Sequence, residues 1–328
     1  MKIIVVANHA GVLPALNWFN SQGWLQAVIS SDRLAGHNLQ IQDYCQSQNI
    51  THLKLTQQQL HTQALQLFNE LEPDMALMYG FAYRIPPAIF TIPRLGFYNV
   101  HFSLLPAYSG SDPVFWQLKN GERQGGITIH KVDEGFDSGV VVLQQAIPFL
   151  PGESWGICNS RYGSMTIAMI TQLCTTLAQG DELPLINTDN RTPSYYPKPT
   201  AVDLAIFWDR DNAGQIESLV NACNPSAGGA ITTYMQQEVR ILEVSPVDGQ
   251  GEAGVKGGTI IHADASGLFV QCADRSLLRI NILKLNEGYL TGFKLAALGI
   301  KAGHCFENVV FENLTSGQKQ EYTIKTAN

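Results

Sequence analysis

The first 180 residues alternate between short apolar runs and longer segments in which apolar positions recur at helical spacing. Apolar runs bounded by glycine or polar residues predict buried strands, and the segments between them predict helices. The predicted strands are 2–7, 25–30, 52–55, 75–79, 95–101 and 127–132, and the predicted helices are 14–22, 38–48, 57–71, 112–118 and 152–177. This alternation predicts an α/β fold with a doubly wound, mostly parallel sheet.

The pattern changes near residue 200, after a polar, proline-punctuated stretch. A predicted helix is followed by short, closely spaced strand-like runs, which are typical of a small β-rich barrel. The predicted helix is 206–222, and the predicted strands are 230–235, 239–244, 258–262, 267–272 and 277–285. We therefore predict a catalytic domain at 1–180, a linker at 181–200 and a smaller β-rich domain at 201–328.

Two motifs at strand ends contain the candidate chemistry. Asn99 and His101 are two positions apart on one predicted strand, so their side chains point to the same side. Ligand crevices of open α/β sheets lie at the carboxyl ends of strands. The strand at 127–132 leads into an acidic loop, 133–139, which we expect to return Asp137 to His101.

These three groups suit acyl transfer to an amine. An imidazole that titrates near neutrality can take a proton from the amine, an amide can donate to an oxyanion, and a carboxylate fixes the imidazole tautomer. No serine or cysteine lies in a nucleophile context, so we predict direct attack without a covalent enzyme intermediate. Taken separately, each feature has a structural alternative. Asn99 would be a capping amide, His101 a hydrogen-bonded core histidine and the acidic loop a solvated turn.

The two motifs, NVHFSLLP at 99–106 and DEGFDSG at 133–139, resemble those of the 10-formyltetrahydrofolate-dependent formyltransferase family. Its members include methionyl-tRNA formyltransferases and amino-sugar N-formyltransferases. The resemblance implies that Asn99, His101 and Asp137 form a catalytic triad. It also implies 10-formyltetrahydrofolate as co-substrate. No His/Cys/Asp cluster has metal-ligand spacing, so we predict a site without metal. The resemblance covers nearly the whole chain, although residues 224–228 depart from the usual N/D-P-W-P-G.

The resemblance further implies where the folate and the acceptor bind. The stretch at 79–86, YGFAYRIP, is similar to the family segment whose backbone holds the pterin ring. The predicted folate-binding residues are Phe81, Arg84, Ile85, Asp133, Glu134, Gly135 and Phe136. The predicted acceptor contacts are His9, Ser103, Tyr108 and Ser109, with a plain loop histidine as the alternative for His9.

Charge bears on the choice of acceptor. The formal net charge is −7, and residues 203–328 contain 10 Lys+Arg against 14 Asp+Glu, which is a net of −4. The family's tRNA enzymes carry a basic loop after the second strand, whereas residues 31–40 here contain one arginine and no lysine. Phosphate neutralisation supplies much of nucleic-acid affinity. We therefore predict a small-molecule amine, either an amino-sugar nucleotide or an amino-acid-derived amine, and do not expect a nucleic-acid partner.

Two other functions stay open at this point. Methionyl-tRNA formyltransferase is the first alternative, because the predicted domain layout resembles that of the tRNA enzymes. A non-catalytic folate-binding or assembly protein on the same scaffold is the second.

Cysteine usage and hydropathy indicate the compartment. The six cysteines are scattered without any C-x-x-C, which is typical of a reduced chain with neither zinc nor disulfide framework. No run approaches the roughly 18 apolar residues that span a bilayer, and no signal peptide is evident. We predict a cytoplasmic protein with no membrane partner. The turn at 8–12 lacks G-x-G-x-x-G, so a nicotinamide cofactor is not expected. The oligomeric state is left open.

Overall fold

The protein is described from a computed structural model, which defines residues 1–33, 35–188 and 191–311. Backbone contacts divide the chain into two compact units. The first unit comprises Met1–Pro113, Gln124–Pro148 and Asn159–Tyr196, and the second comprises Val114–Arg123, Phe149–Cys158 and the chain from Pro197 onward. Two short pieces of the first 180 residues therefore group with the second unit, and the predicted boundaries at 180 and 200 stay predictions.

The first unit is built on one central sheet. Its strands and a separate short pair are β1 (Ile3–Ala7), β2 (Leu25–Ser31), β3 (Thr51–Leu55), β4 (Met75–Tyr79), β5 (Phe97–His101), β6 (Ser109–Gly110), β7 (Gln124–Lys131), β8 (Val141–Pro148) and β9 (Tyr195–Tyr196). Within the described residues, the sheet has the order β3-β2-β1-β4-β5-β7-β8, and β6 pairs with β9. Strands β1 to β5 are parallel, whereas β7 and β8 are antiparallel to their neighbours. The prediction of a mostly parallel α/β sheet is confirmed.

Burial explains why these runs form strands. Every residue of β1 and of β5 is buried, as expected for parallel strands covered on both faces. Strand β8 was not predicted, because its sequence VVLQQAIP has a polar, partly exposed centre that interrupts the apolar run.

The connecting segments of this part of the chain are mainly helical. The helices are α1 (Leu13–Ser21), α2 (Ala35–Ser47), α3 (Gln57–Gln59), α4 (Leu65–Leu71), α5 (Pro87–Phe90), α6 (Pro113–Lys119) and α7 (Trp155–Gln179). The single helix predicted at 57–71 is wrong in one respect, since a π-helical turn, Leu60–Ala64, separates α3 from α4. Leu60, Ala64 and Phe68, spaced four residues apart across this turn, are all buried in the core.

The second unit contains an antiparallel sheet. Its strands are β10 (Ala230–Tyr234), β11 (Gln237–Val247), β12 (Ile260–Asp264), β13 (Gly267–Gln271), β14 (Leu277–Leu285), β15 (Gly288–Thr291) and β16 (Phe306–Glu307). The order is β12-β13-β14-β11-β10-β16, and β15 pairs with β14. The two ends meet, because Phe306 N–H donates to Gly258 and Ile260 N–H donates to His304, both at 2.8 Å. The predicted β-rich barrel is confirmed.

The helix predicted at 206–222 begins later than expected. The observed helix is α8 (Ala213–Cys223), which starts after a capping box formed by Asn212 and Gln215. The backbone at Ile206, before this helix, is hydrogen-bonded to the sheet instead, since Ile206 N–H donates to the Ile231 carbonyl of β10 at 2.9 Å. A short helix, α9 (Gly292–Ala297), follows β15.

Candidate active site

Asn99 and His101 lie at the carboxyl end of β5. Alternation along the strand puts both side chains on one side, and the residues are 5% and 6% exposed. Strand β5 is hydrogen-bonded to β4 on one side and to β7 on the other. A strand held on both sides therefore keeps this amide and this imidazole in a fixed relation.

The acidic loop brings Asp137 to both residues. Asp137 Oδ1 accepts a hydrogen bond from Asn99 Nδ2 at 3.1 Å and lies 3.6 Å from His101 Nδ1. Its other oxygen, Oδ2, accepts the backbone N–H of Gly110 at 2.8 Å. The structure thus brings together the three residues that the sequence predicts as a triad.

The shape of the acidic loop depends on small residues. The Asp133 carboxylate accepts the N–H of Gly135 at 2.9 Å, which closes a tight turn. A side chain at Gly139 would meet the carbonyl oxygen of Lys131 at 1.8 Å, so only glycine fits beside the end of β7. This packing holds Asp137 in the left-handed region, with φ 52°.

Hydrogen bonding assigns the proton positions of His101. Its Nε2 lies 2.8 Å from the carbonyl oxygen of Tyr108, which can only accept, so Nε2 carries a proton. In the neutral ring Nδ1 then has no proton, and it faces Asp137. Nδ1 is therefore the atom at which His101 can take up a proton, and Asp137 would stabilise the resulting imidazolium.

A fourth side chain, His130 of β7, belongs to this cluster and was not predicted. Strand pairing places it directly opposite Asn99, and it is 2% exposed. Its Nδ1 lies 2.8 Å from the Lys131 carbonyl and therefore donates, which leaves Nε2 as an acceptor in the neutral ring. Nε2 lies 3.1 Å from Asn99 Nδ2 and 3.5 Å from Asp137 Oδ1. Alternation along β7 was the available signal, but it becomes informative only once the register with β5 is known.

His130 changes what Asn99 can do. The Asn99 amide nitrogen has two hydrogens, of which one is donated to the Asp137 carboxylate and the other to His130 Nε2. A hydrogen bond to a carboxylate is stronger than one to a neutral acceptor. The hydrogen shared with His130 is therefore the one that Asn99 can redirect to a developing oxyanion.

Burial and neighbouring charges set the protonation states. Burial alone would raise the pKa of Asp137, but the charge of His101 and the hydrogen bond from the Gly110 N–H hold that pKa well below its usual range. Burial lowers the pKa of His101 below its ordinary 6.5, against the raising effects of Asp137 and of the Tyr108 carbonyl. Asp137 is consequently ionised and His101 neutral at pH 7. A general base needs this combination.

We expect an NMR titration to give His101 a midpoint below pH 6.5. Activity that depends on the neutral ring should fall as the pH drops through that midpoint. Asp137→Asn removes a charge that raises the pKa of His101, so this variant should have a still lower midpoint. A wild-type midpoint above 6.5, or an upward shift in the variant, would contradict the assignment.

The predicted folate-binding segments are adjacent and offer free backbone donors. The backbone N–H groups of Phe81, Arg84 and Ile85 donate to no acceptor within the described part of the chain. Ile85 is buried, Phe81 is half-buried, and the Arg84 guanidinium lies 5.7 Å from the centre of the Phe136 ring. This cation–π contact connects the loop after β4 to the acidic loop.

The remaining predicted folate residues lie on the same acidic loop. Phe136 is 61% exposed, Glu134 and Gly135 are exposed, and Asp133 is half-buried. An exposed phenylalanine beside free backbone donors provides a flat apolar surface together with polar groups. A flat heterocycle with amide-like donors and acceptors requires such a combination.

Three of the predicted acceptor contacts already make hydrogen bonds within the protein. Ser103 is fully buried and its hydroxyl donates to the Ala107 carbonyl at 2.7 Å, while the Ser109 hydroxyl donates to the Ser194 carbonyl at 3.0 Å. The His9 ring accepts the N–H of Gly11 at 3.0 Å and caps a 3₁₀ turn. These three side chains therefore shape the surrounding loops, and their contact with an acceptor stays a prediction.

Clusters of metal ligands and membrane-spanning helices are both absent from the described ranges. Among the described residues, no group of His, Cys, Asp or Glu side chains is arranged to hold a metal ion. Within the same ranges, no helix combines the length and the apolar character needed to cross a bilayer.

Comparison with known proteins identifies the class. A family model described as Formyl transferase matches residues 1–171, and one described as Formyl transferase, C-terminal domain, matches residues 199–291. The chain therefore belongs to the formyl transferase family and is a formyl-transferring enzyme.

Relatives match along much of the chain. It is 30% identical over 236 residues to a methionyl-tRNA formyltransferase of Aromatoleum aromaticum, covering 72% of each protein. It is 29% identical over 314 residues to that of Nitrosomonas eutropha, covering 93% of this chain and 95% of the relative.

A solved structure shows the same fold. The N-formyltransferase from Helicobacter canadensis, in complex with folinic acid and dTDP-3-aminofucose, superposes with a TM-score of 0.65. The match covers 85% of this chain and 98% of that one, at 14% identity. At this identity the likeness concerns the fold alone.

Proposed function

We propose that this enzyme transfers the formyl group of 10-formyltetrahydrofolate to a primary amine by direct attack, with Asn99, His101 and Asp137 as its catalytic residues. The observation that carries the proposal is the buried cluster at the end of β5, in which Asp137 Oδ1 lies within 3.1 Å of Asn99 Nδ2 and 3.6 Å of His101 Nδ1. Membership in the formyl transferase family supports the reaction type.

Each residue has a defined task. The bound folate supplies an activated formyl group. His101 accepts a proton at Nδ1 from the amine as the new carbon–nitrogen bond forms, and returns that proton to the departing folate nitrogen as the old bond breaks. Asn99 donates to the formyl oxygen while negative charge develops on it. Asp137 stabilises the imidazolium between these two proton transfers.

The residues of the two adjoining loops suit a folate. The N–H groups of Phe81, Arg84 and Ile85, which have no acceptor in the described ranges, match the acceptors on the edge of a pterin ring, and Phe136 offers an apolar face. The guanidinium of Arg84 is a partner for a carboxylate of the folate tail. Folate binding through these residues needs no metal.

Methionyl-tRNA is the first candidate acceptor. The supporting observation is the match to the Nitrosomonas eutropha methionyl-tRNA formyltransferase, which covers 95% of that relative and includes the C-terminal region.

A small-molecule amine is the second candidate. Residues 203–328 have a net charge of −4 (10 − 14), and some of their cations already have carboxylate partners. Arg210 lies 3.1 Å from Asp211, and Arg240 is paired with Glu238. Cations paired in this way contribute less to phosphate neutralisation.

A side-by-side turnover assay separates these acceptors. We expect kcat/KM for methionyl-tRNA to exceed that for amino-sugar nucleotides and diamino acids at physiological salt. Added salt should weaken tRNA binding steeply, because released counterions drive it. Faster transfer to a small amine, with no gel shift of tRNA, would instead support the second candidate. A protein that binds folate and formylates no amine would match the non-catalytic alternative.

A further inference from the structure

The segment 194–196, which the sequence predicts as linker, lies against the loop that follows β5. Strand β9 pairs in parallel with β6, so that Ser109 is opposite Tyr195 and Gly110 is opposite Tyr196. We call residues 194–196 the linker segment and residues 106–111 the active-site loop. All of these residues belong to the first unit.

Hydrogen bonds connect the linker segment and the active-site loop along their length. Ser194 N–H donates to the Pro106 carbonyl at 3.2 Å, and the Ser194 hydroxyl accepts the N–H of Tyr108 at 2.8 Å. The Ser194 carbonyl accepts the N–H of Ser109 at 2.9 Å, and the Tyr196 carbonyl accepts that of Ser111, also at 2.9 Å. The linker segment therefore holds the loop backbone at Pro106, Tyr108, Ser109 and Ser111.

Side-chain packing strengthens this attachment. The rings of Tyr108 and Tyr196 are stacked, with centroids 4.9 Å apart and an interplanar angle of 9°. A side chain at Gly110 would meet the Tyr196 carbonyl at 2.3 Å, and Gly110 has φ 98°. The close approach of the two strands therefore requires glycine at this position.

The active-site loop in turn contacts the catalytic pair through its backbone. The Tyr108 carbonyl accepts Nε2–H of His101, and the Gly110 N–H donates to Asp137 Oδ2, each at 2.8 Å. Tyr108 has φ 57°, which is uncommon for a tyrosine and persists only where the surroundings impose it. Two successive contacts thus lead from the linker segment to both catalytic side chains.

We propose that the linker segment is a positioning element, which holds the active-site loop so that Tyr108 fixes the ring of His101 and Gly110 fixes the carboxylate of Asp137. Ser194 and Tyr196 are its key residues. This inference rests on the proposed catalytic roles of His101 and Asp137.

The test compares Tyr196→Ala with Tyr196→Phe. Loss of the stacked ring should lower kcat by roughly 10- to 100-fold with little change in KM for 10-formyltetrahydrofolate, because a misplaced catalytic group costs rate rather than binding. Tyr196→Phe keeps the ring stack and should restore most of the rate. Ser194→Ala, a smaller change, should lower kcat in the same direction. Tyr289→Ala, at a 66% exposed tyrosine, is the control and should match the wild type.

A spectroscopic measurement separates positioning from general stability. In the free protein with nitrogen-15 histidine, His101 should show the Nε2–H tautomer, and Tyr196→Ala should give a mixture of tautomers. Unchanged His101 resonances and unchanged kcat in both Tyr196→Ala and Ser194→Ala would overturn the inference. If His101→Ala retains its rate, the proposed function fails instead, so the two failures are distinguishable.

Discussion

Replacing His101 by alanine should lower kcat for formyl transfer by roughly 10²–10⁴-fold, which is the usual worth of general acid–base catalysis. The neutral ring is the proton acceptor in the proposed reaction, and alanine offers no substitute. Folate affinity should change little, because the predicted folate contacts come from the loop after β4 and the acidic loop. The measurement is kcat per folded molecule at saturating acceptor, with folate binding measured by titration.

A matched control distinguishes chemistry from packing. His52 is another strand histidine, whose ring lies 3.0 Å from the Ser30 hydroxyl, outside the site. His52→Ala should affect the thermal midpoint and leave kcat near the wild-type value. If His101→Ala resembles His52→Ala in both respects, His101 is a structural residue.

Replacing Asn99 by alanine should cost roughly 3–4 kcal/mol of transition-state stabilisation, as expected for one oxyanion donor. The variant also removes the hydrogen bond that Asp137 Oδ1 accepts from Asn99, and it leaves His130 Nε2 without the amide that donates to it. The loss should therefore appear in kcat rather than in KM for the folate.

Asn281 provides the comparison for Asn99. Its amide donates to the Ser245 hydroxyl at 2.8 Å on the sheet of the second unit. Asn281→Ala should keep wild-type kcat. A kcat for Asn99→Ala within a few-fold of the control would exclude Asn99 as the oxyanion donor.

Much of the fold was predictable because burial follows the apolar runs. The strand at 75–79 was predicted with its observed bounds, since it is a continuous apolar run closed by a glycine. The errors arise where hydrogen bonds or register decide the outcome. The helix predicted from residue 206 begins at Ala213, because the Asn212 cap and the hydrogen bond from Ile206 N–H to the Ile231 carbonyl fix its start.

The candidate site was predictable to a smaller extent. Strand alternation juxtaposes Asn99 and His101, and the acidic motif supplies Asp137. His130 enters through the antiparallel register of β5 and β7, which depends on tertiary pairing. The Tyr108 carbonyl, which orients the ring of His101, is a backbone atom. Every residue type has such a carbonyl, so the sequence does not indicate this contact.

The central claim is that His101 and Asp137 act as one catalytic unit. The most direct test is kcat per folded molecule for His101→Ala, Asp137→Asn and the double variant. If the two residues act together, the double variant should be no slower than the slower single variant, because its losses do not add. Additive losses, or near-wild-type kcat in either single variant, would contradict the proposed mechanism.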